Sequence, residues 1–271
     1  MEKIVFKNDG EVPVNDILCT TYQMRNMYNQ FRDGYISNLE VMNYIQHFSA
    51  MKMAKANDVV LDVCCGRGLM TPILRYFKKD IKKYIGVDIK RENMEWLDKN
   101  ITNRKPIDPE EHYPFEVEGV VCNVAEMSNH IKDEVNFCIY TSAVEHMHKV
   151  HGEQSLKECY KIMKKGAKMF LSCPNTPEDQ DGYDTQYKAH VYEWKLSELR
   201  TVLNDLGFKI KKEYGLTGNV NDFKQASKNL PKPLKEYFDI LVEYLPREFS
   251  TAILFIHQPK LAKEVAIICE K

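Results

Sequence analysis

From Asp58 onward, short runs of β-branched and apolar residues alternate with longer stretches in which apolar residues recur every three or four positions. That alternation predicts βαβ units and an α/β fold with a largely parallel sheet. The predicted strands are Val59–Val63, Tyr84–Asp88, Phe115–Val121, Val135–Tyr140, Ala167–Ser172, Phe208–Glu213 and Glu264–Cys269. Several are continuous apolar runs, as expected of strands covered on both faces, whereas 115–121 alternates and belongs nearer an edge. The helical stretches between them are Leu69–Lys79, Arg91–Ile101, Ala125–Lys132, Glu145–Lys164 and Lys195–Leu206. Gly166 and Gly207 stand where left-handed helix caps are wanted.

The two ends differ from this pattern. After a short apolar start, Asn15–Phe31 and Ser37–Lys55 read as helices, the second opened by a capping box at Ser37 and Glu40. Residues 1–56 are therefore expected to form a helical, aromatic-rich cap, read as packing core. Residues 57–271 form the sheet domain, with a helical insert at 215–260 patterned around Pro233–Leu245 and Phe249–Ile256. Thr102–Pro114, with three prolines, is a loop.

Composition narrows the functional classes. The 271 residues carry 38 basic and 39 acidic side chains, a net charge of -1, which argues against a protein built to coat nucleic acid or an anionic membrane. The lysine clusters at 78–83, 161–168 and 209–212 read as solvated faces. No segment reaches the ~18 apolar residues of a membrane span, and the start lacks the apolar run of a signal peptide. Eight cysteines without a C-x-x-C pair read as reduced core thiols in a cytoplasmic protein.

The chemistry-bearing run is Val59-Val60-Leu61-Asp62-Val63-Cys64-Cys65-Gly66-Arg67-Gly68-Leu69-Met70. A strand enters a turn with two glycines, and a helix opens directly after it, offering unpaired N–H groups. Twenty residues past Gly68 the next strand ends at Asp88, placed to accept from the vicinal hydroxyls of a ribose. Strand, Gly-x-Gly, helix, strand and acid in register point to an adenosyl-type cofactor. A nicotinamide fingerprint would need a third glycine, which Gly66-Arg67-Gly68-Leu69-Met70-Thr71 lacks.

These residues resemble motif I of the class I S-adenosylmethionine-dependent methyltransferases, and Tyr84-Ile85-Gly86-Val87-Asp88-Ile89 resembles their second motif. The likeness continues through Val121-Cys122-Asn123-Val124, Val135–Tyr140 with Glu145-His146, and Leu171-Ser172-Cys173-Pro174-Asn175, over 58–214 and the final strand. The resemblance implies a Rossmann-like seven-stranded sheet of order 3-2-1-4-5-7-6, with the last strand antiparallel, and S-adenosylmethionine as cofactor. It implies Asp62 near the methionine amino group, Cys64, Gly66 and Gly68 along the methionine moiety, and Asp88 on the ribose. Ile89, Asn123 and Val124 fall to the adenine, and Tyr140 to the cofactor wall. Cys64 stands where a glycine is usual, acceptable if that turn needs no positive φ; Asn123 stands where an acid is common.

The acceptor should meet the methyl group at the end of the fourth strand, Tyr140-Thr141-Ser142-Ala143-Val144-Glu145-His146. No Asn/Asp-Pro-Pro-Tyr/Phe motif of base-amino methyltransferases is present there. Glu145 and His146 resemble a pair lining the site in many small-molecule relatives, and His146 is the candidate general base. Ser142-Ala143-Val144-Glu145-His146 with His190-Val191-Tyr192-Glu193-Trp194 is also similar to the metal motif of RNA 3′-terminal 2′-O-methyltransferases, but Ser142 replaces the first glutamate, so no metal is expected. Ser142, Tyr183, Tyr187 and His190 are the substrate-side candidates, and Tyr35, after Gly34, the residue placed to reach over the cofactor. The expected activity is methyl transfer to oxygen or nitrogen of a small molecule. The alternatives are an RNA or nucleotide methyltransferase and a catalytically silent cofactor-binding subunit. Nothing in the pattern indicates nucleic acid or membrane as partner, and oligomeric state is not legible.

Overall fold

The computed structural model describes residues 3–6, 10–13, 30, 32–33, 36–102, 113–185, 187–218, 223–228 and 230–271. A hairpin of β1 (Lys3–Phe6) and β2 (Gly10–Pro13) opens the chain. The main sheet comprises β3 (Val59–Val63), β4 (Lys83–Asp88), β5 (Glu116–Val121), β6 (Val135–Thr141), β7 (Met163–Pro174), β8 (Lys209–Gly218) and β9 (Ala262–Glu270), ordered β5-β4-β3-β6-β7-β9-β8. Counted within the sheet this is the expected 3-2-1-4-5-7-6. The pairs from β5 to β7 are parallel, and β9 runs antiparallel to both β7 and β8.

Strand alternation splits the core into two layers. Leu61, Val63, Ile85, Val87, Cys138 and Leu171 face one side, where α4 (Lys149–Ile162) and α5 (Leu196–Asp205) cover them. Val60, Tyr84, Phe137, Ile139 and Phe170 face the other, against α1 (Asn38–Met53), α2 (Met70–Phe77) and α3 (Arg91–Leu97). Fully burying one such side chain contributes about 1.5–3 kcal/mol, so the sheet is a rigid platform for whatever its edge carries. α6 (Phe223–Lys228), α7 (Lys232–Tyr244) and α8 (Arg247–Ile256) form the late insert, with α8 packed on β8 and α1.

Several boundaries differ from expectation for local reasons. The predicted helix Ala125–Lys132 is a 3-10 segment, Val124–Asn129. The Ser128 N–H goes to the Glu158 carboxylate at 2.9 Å, away from an α-helical carbonyl. The predicted helix Glu145–Lys164 is a short 3-10 turn, Val144–His146, followed after a break by α4. The Glu145 carbonyl, which a continuous helix would direct at residue 149, accepts instead from Val191 and Tyr192 N–H at 2.8 and 3.2 Å. Gly166 takes its left-handed φ of +82° inside β7 rather than at a helix end, whereas Gly207 (φ +96°) does cap α5, with Phe208 N–H reaching the Leu203 carbonyl.

Residues 1–56 are not wholly helical, since they begin with the hairpin; Ser37 caps α1 through Glu40 N–H as expected, and the predicted helix Asn15–Phe31 lies almost wholly outside the described residues. The insert begins later than 215, because β8 continues to Gly218. Lys83 is not on a solvated face: it is buried, with its ammonium 2.9, 2.6 and 3.0 Å from Glu116, Glu118 and Asp133. The described cysteines are all free, and among the described residues no helix is long and apolar enough to cross a membrane.

Candidate functional site

The parallel strands end on one edge of the sheet, and β9, being antiparallel, begins there: Glu264 pairs with Pro174. Most of the described residues that the sequence singled out follow the ends of these strands.

At the ends of β3 and β4 the chain makes a turn with three left-handed residues, Cys64 (φ +56°), Gly66 (+57°) and Gly68 (+77°). The turn at Cys64 does need positive φ, contrary to the condition under which a side chain there was acceptable; the thiol sits in a backbone conformation that favours glycine. Asp88, 1 % exposed, braces this turn. Its carboxylate accepts from Gly66 N–H at 3.0 Å, Lys90 N–H at 2.8 Å and the Asn93 amide at 3.2 Å. Burial raises its pKa, and those three donors oppose the rise. Asp62 is buried beside it and accepts from the Tyr84 hydroxyl at 2.7 Å. Burial, opposed by that hydrogen bond and reinforced by the Asp88 charge, pushes its pKa up to about 7. Two acids flanking a glycine turn are the acceptors that a ligand with an ammonium at one end and ribose hydroxyls at the other calls for.

Ile89 is half-buried just past β4 and Val124 is buried beyond β5, on the side expected for the adenine. The Asn123 side-chain oxygen already accepts from Ala125 N–H at 3.0 Å, capping the 3-10 segment, so only its second lone pair is open to a ligand. Tyr140 is a correction. Strand alternation turns it into the α4 layer, where it is fully buried with its hydroxyl 2.8 Å from Ser155 Oγ, and it is not a cofactor-wall side chain. Tyr35 lies outside the described residues.

The second half of the edge is assembled from distant parts of the chain. β6 ends at a left-handed Ser142 (φ +44°), whose hydroxyl donates to Gln46 Oε1 at 3.2 Å and to Glu264 Oε1 at 3.3 Å, as alternatives for one proton. Gln46, on α1, also accepts from Ser172 Oγ at 2.8 Å and donates to Asn43 at 2.8 Å. The segment after β7 folds back so that Val191 and Tyr192 bond to the Glu145 carbonyl. Gly182 lies so near Tyr192 and the Glu193 carbonyl that a Cβ there would approach within 2.6 and 2.7 Å. This return sets His190 against His146, with ring centroids 5.1 Å apart. One ligand atom each from Glu145, His146 and His190 lies within 4.8 Å of the others. His146 Nδ1 is 2.9 Å from the Ala189 carbonyl and His190 Nδ1 is 2.7 Å from Glu193 Oε1.

Glu145, Glu193 and Glu264 are all buried here. Burial first, then the neighbouring carboxylates, drives the Glu145 pKa well up, and burial brings Glu264 to about 8. Of the substrate-side candidates, Ser142 and His190 join this cluster. Tyr187 stands beside it, 5.3 Å from the His190 ring and 60 % exposed. Tyr183 sits outside, against Tyr192 and His148.

Asn43, Gln46 and Glu264 were missed by sequence reasoning. Glu264 was findable: it is the one acid at the start of an otherwise apolar run, and an antiparallel last strand starts at the ligand-binding edge. Asn43 and Gln46 sit on the buried face of α1, where the sequence drew attention to aromatics; polar residues there are informative because burial without partners is costly. A separate groove of about 760 Å³ between α4 and α5, lined by Lys149, Lys157, Glu198 and Asp205 among others, includes no residue of the glycine turn or the histidine cluster.

Comparisons with known proteins agree with this geometry. A family described as methyltransferase domain matches residues 31–213. No curated protein sequence matches the chain. Among solved structures, an S-adenosylmethionine-dependent methyltransferase from Archaeoglobus fulgidus is 19 % identical, covering 87 % of this chain and 95 % of its own, with a TM-score of 0.52. A cyclopropane synthase from Mycobacterium tuberculosis is 11 % identical, with 84 % of each chain covered and a TM-score of 0.55. The cyclase SpnF is 12 % identical, with 86 % and 81 % covered and a TM-score of 0.56. Different chemistries on one scaffold mean that fold alone leaves the acceptor open. The matched domain spans most of the chain and the sheet order agrees with it: this protein belongs to the methyltransferase-domain family, with the Rossmann-like fold and sheet order of a class I methyltransferase.

Proposed function

We propose that the chain methylates an oxygen or nitrogen of a small, polar molecule. The observation that carries this reading is the lining of the acceptor half: Ser142, Glu145, Ser172 and Glu264 from the strand ends, His190 from the returning segment and Gln46 from α1, acidic overall, and among the described residues no Lys or Arg pairs with Glu145 or Glu264. A polyanion such as RNA would need a basic approach to the same edge.

The cofactor contributes an already activated methyl group, so the chain's task is to hold the two reactants in line in a site shielded from water. In this reading Asp62 holds the methionine ammonium, the turn at Cys64, Gly66 and Gly68 receives the methionine moiety, and Asp88 takes the ribose hydroxyls while bracing Gly66. Ile89, Val124 and Asn123 hold the adenine. His146 is the proton acceptor: an Nδ1–H directed at the Ala189 carbonyl selects the tautomer with its lone pair on Nε2.

Calorimetric titration with S-adenosylhomocysteine tests the cofactor half. Asp88→Ala removes the acceptor of two backbone N–H groups as well as the ribose contact, so affinity should fall about a hundredfold; unchanged affinity would remove Asp88 from the site. Turnover with candidate acceptors then separates an enzyme from a silent subunit, and full turnover by His146→Ala across neutral pH would remove His146 as base.

A further inference from the structure

We propose that Tyr84 is a positioning residue for cofactor binding, its hydroxyl holding one oxygen of the buried Asp62 carboxylate and leaving the other for the cofactor's ammonium; this rests on the reading of Asp62 as the acceptor of that ammonium. Strand pairing makes the contact possible. Asp62 on β3 lies opposite Gly86 on β4, and Val60 opposite Tyr84, so Tyr84 and Asp62 are diagonal neighbours on one face of the sheet, within reach of an aromatic side chain. The ring crosses the gap that the glycine leaves: a Cβ at position 86 would come within 3.1 Å of Tyr84 Cε1, 3.3 Å of its hydroxyl oxygen and 2.8 Å of Cys65 Sγ. The hydroxyl donates to Asp62 Oδ2 at 2.7 Å. Among the described residues no other hydrogen bond reaches that carboxylate, so Oδ1 is open to a ligand.

Packing does not call for this hydroxyl. Tyr84 is fully buried in the apolar layer of Val60, Phe137 and Ile139, where a phenylalanine would fill the same space and a hydroxyl needs a partner. Asp62 is 4 % exposed, and a buried carboxylate without a donor holds its proton. The phenol is the group that opposes burial here, and Asp62 titrates at about 7 as a result. The other titratable groups on the elements around it do not replace the phenol. Cys64, Cys65 and Cys138 are thiols that burial keeps protonated and that donate weakly. Asp88 is a like charge, and His47 on α1, lowered to about 4 by burial, is neutral in this range.

Calorimetric titration of the full chain with S-adenosylhomocysteine, from about pH 5.5 to about pH 9, tests Tyr84→Phe against the parent. In the parent, affinity should begin to fall below about pH 7. The variant loses a hydrogen bond to an ionised group, so its affinity should begin to fall about one pH unit higher or more. It should then bind about tenfold more weakly than the parent near pH 6, and the two should converge as the pH approaches 9. An equal loss at every pH is what a purely structural role gives, and an unmoved profile is what an idle hydroxyl gives; either would overturn the role of Tyr84 while leaving Asp62 in place. A pH-independent affinity in the parent would instead take the ammonium from Asp62, and the role of Tyr84 with it. Should the variant misfold, carbon-13 NMR of the tyrosine-labelled parent reads the same contact. Tyr84 Cζ should titrate with Asp62 near pH 7 in the free protein and stop doing so once S-adenosylhomocysteine is bound, and a Cζ that ignores that titration would also overturn the proposal.

Discussion

Two neighbouring strands, β3 and β6, leave the sheet in the same way, each through a non-glycine residue in the left-handed region, Cys64 at φ +56° and Ser142 at φ +44°. What lies beyond them differs. After Cys64, the groups that shape the cofactor half, Asp62, Gly66, Gly68, Tyr84, Asp88 and Asn93, fall within one βαβ unit and its next turn. Beyond Ser142, the acceptor half draws on α1, the end of β7, the segment before α5 and the start of β9, with hydrogen bonds spanning 96, 122 and 126 residues of sequence. A cofactor common to many enzymes can be held by one contiguous motif. The acceptor half is built from the elements that loops and caps bring in, where variation is tolerated.

The largest test of that separation is Gly152→Ala. A Cβ at position 152 would come within 2.7 Å of Trp194 Cζ2 and 3.2 Å of Val144 Cγ2. Trp194 is fully buried and cannot swing away. Overpacking of this kind costs about 1–3 kcal/mol, which outweighs the gain of up to about 1 kcal/mol from replacing glycine inside a helix. Urea denaturation should show a net loss of stability, because α4 is pushed from the wall carrying Glu193 and His190. Affinity of the folded protein for S-adenosylhomocysteine should stay within about twofold, as for independent sites. If that affinity falls in step with stability, the two halves are one unit.

A smaller effect isolates the cofactor half. Asp62 has a pKa of about 7 in the free protein, and a bound ammonium favours its ionised form. Below pH 7 binding must therefore release a proton, and affinity for S-adenosylhomocysteine should fall about tenfold per pH unit. Asp62→Asn should flatten that slope. For stability the sign is opposite: a carboxyl whose folded pKa is raised contributes fully below its unfolded value near 4 and loses that contribution as pH rises through 7. A flat binding profile between pH 5 and 7 would take the ammonium away from Asp62.

The same contrast explains what the sequence disclosed. Seven strands were legible because each is a short apolar run between helical patterns, their order because the motifs resemble a known family, and the glycine turn because its parts are contiguous. Helix starts were less so. Whether residues 145–148 continue α4 depends on who takes the Glu145 carbonyl, and the competitors are Val191 and Tyr192. Whether 125–132 is an α-helix depends on Glu158, thirty residues away. Glu264 and Gln46 were missed for the same reason, since their roles exist only once β9 and α1 are docked. Tyr140 was misread because a residue at the ligand-binding end of a strand still points to one face or the other, and its parity turns it into the core.

The smallest expected effect compares the two left-handed residues directly. A non-glycine residue in this region costs about 1 kcal/mol, and glycine removes that strain but gives part of it back through the freedom of the unfolded chain. Cys64→Gly should therefore leave stability unchanged or raise it by less than about 1 kcal/mol. Ser142→Gly relieves the same strain and deletes the hydroxyl that reaches Gln46 and Glu264; losing those contacts costs about 1–2 kcal/mol, so this variant should be less stable than the parent. Paired denaturation curves decide it. If both variants shift alike, Ser142 holds nothing at the acceptor half, and Glu264 has no reason to face Glu145. If they shift in opposite directions, the backbone strain is common to both strand ends, and the hydroxyl at 142 is what ties β9 and α1 to the site.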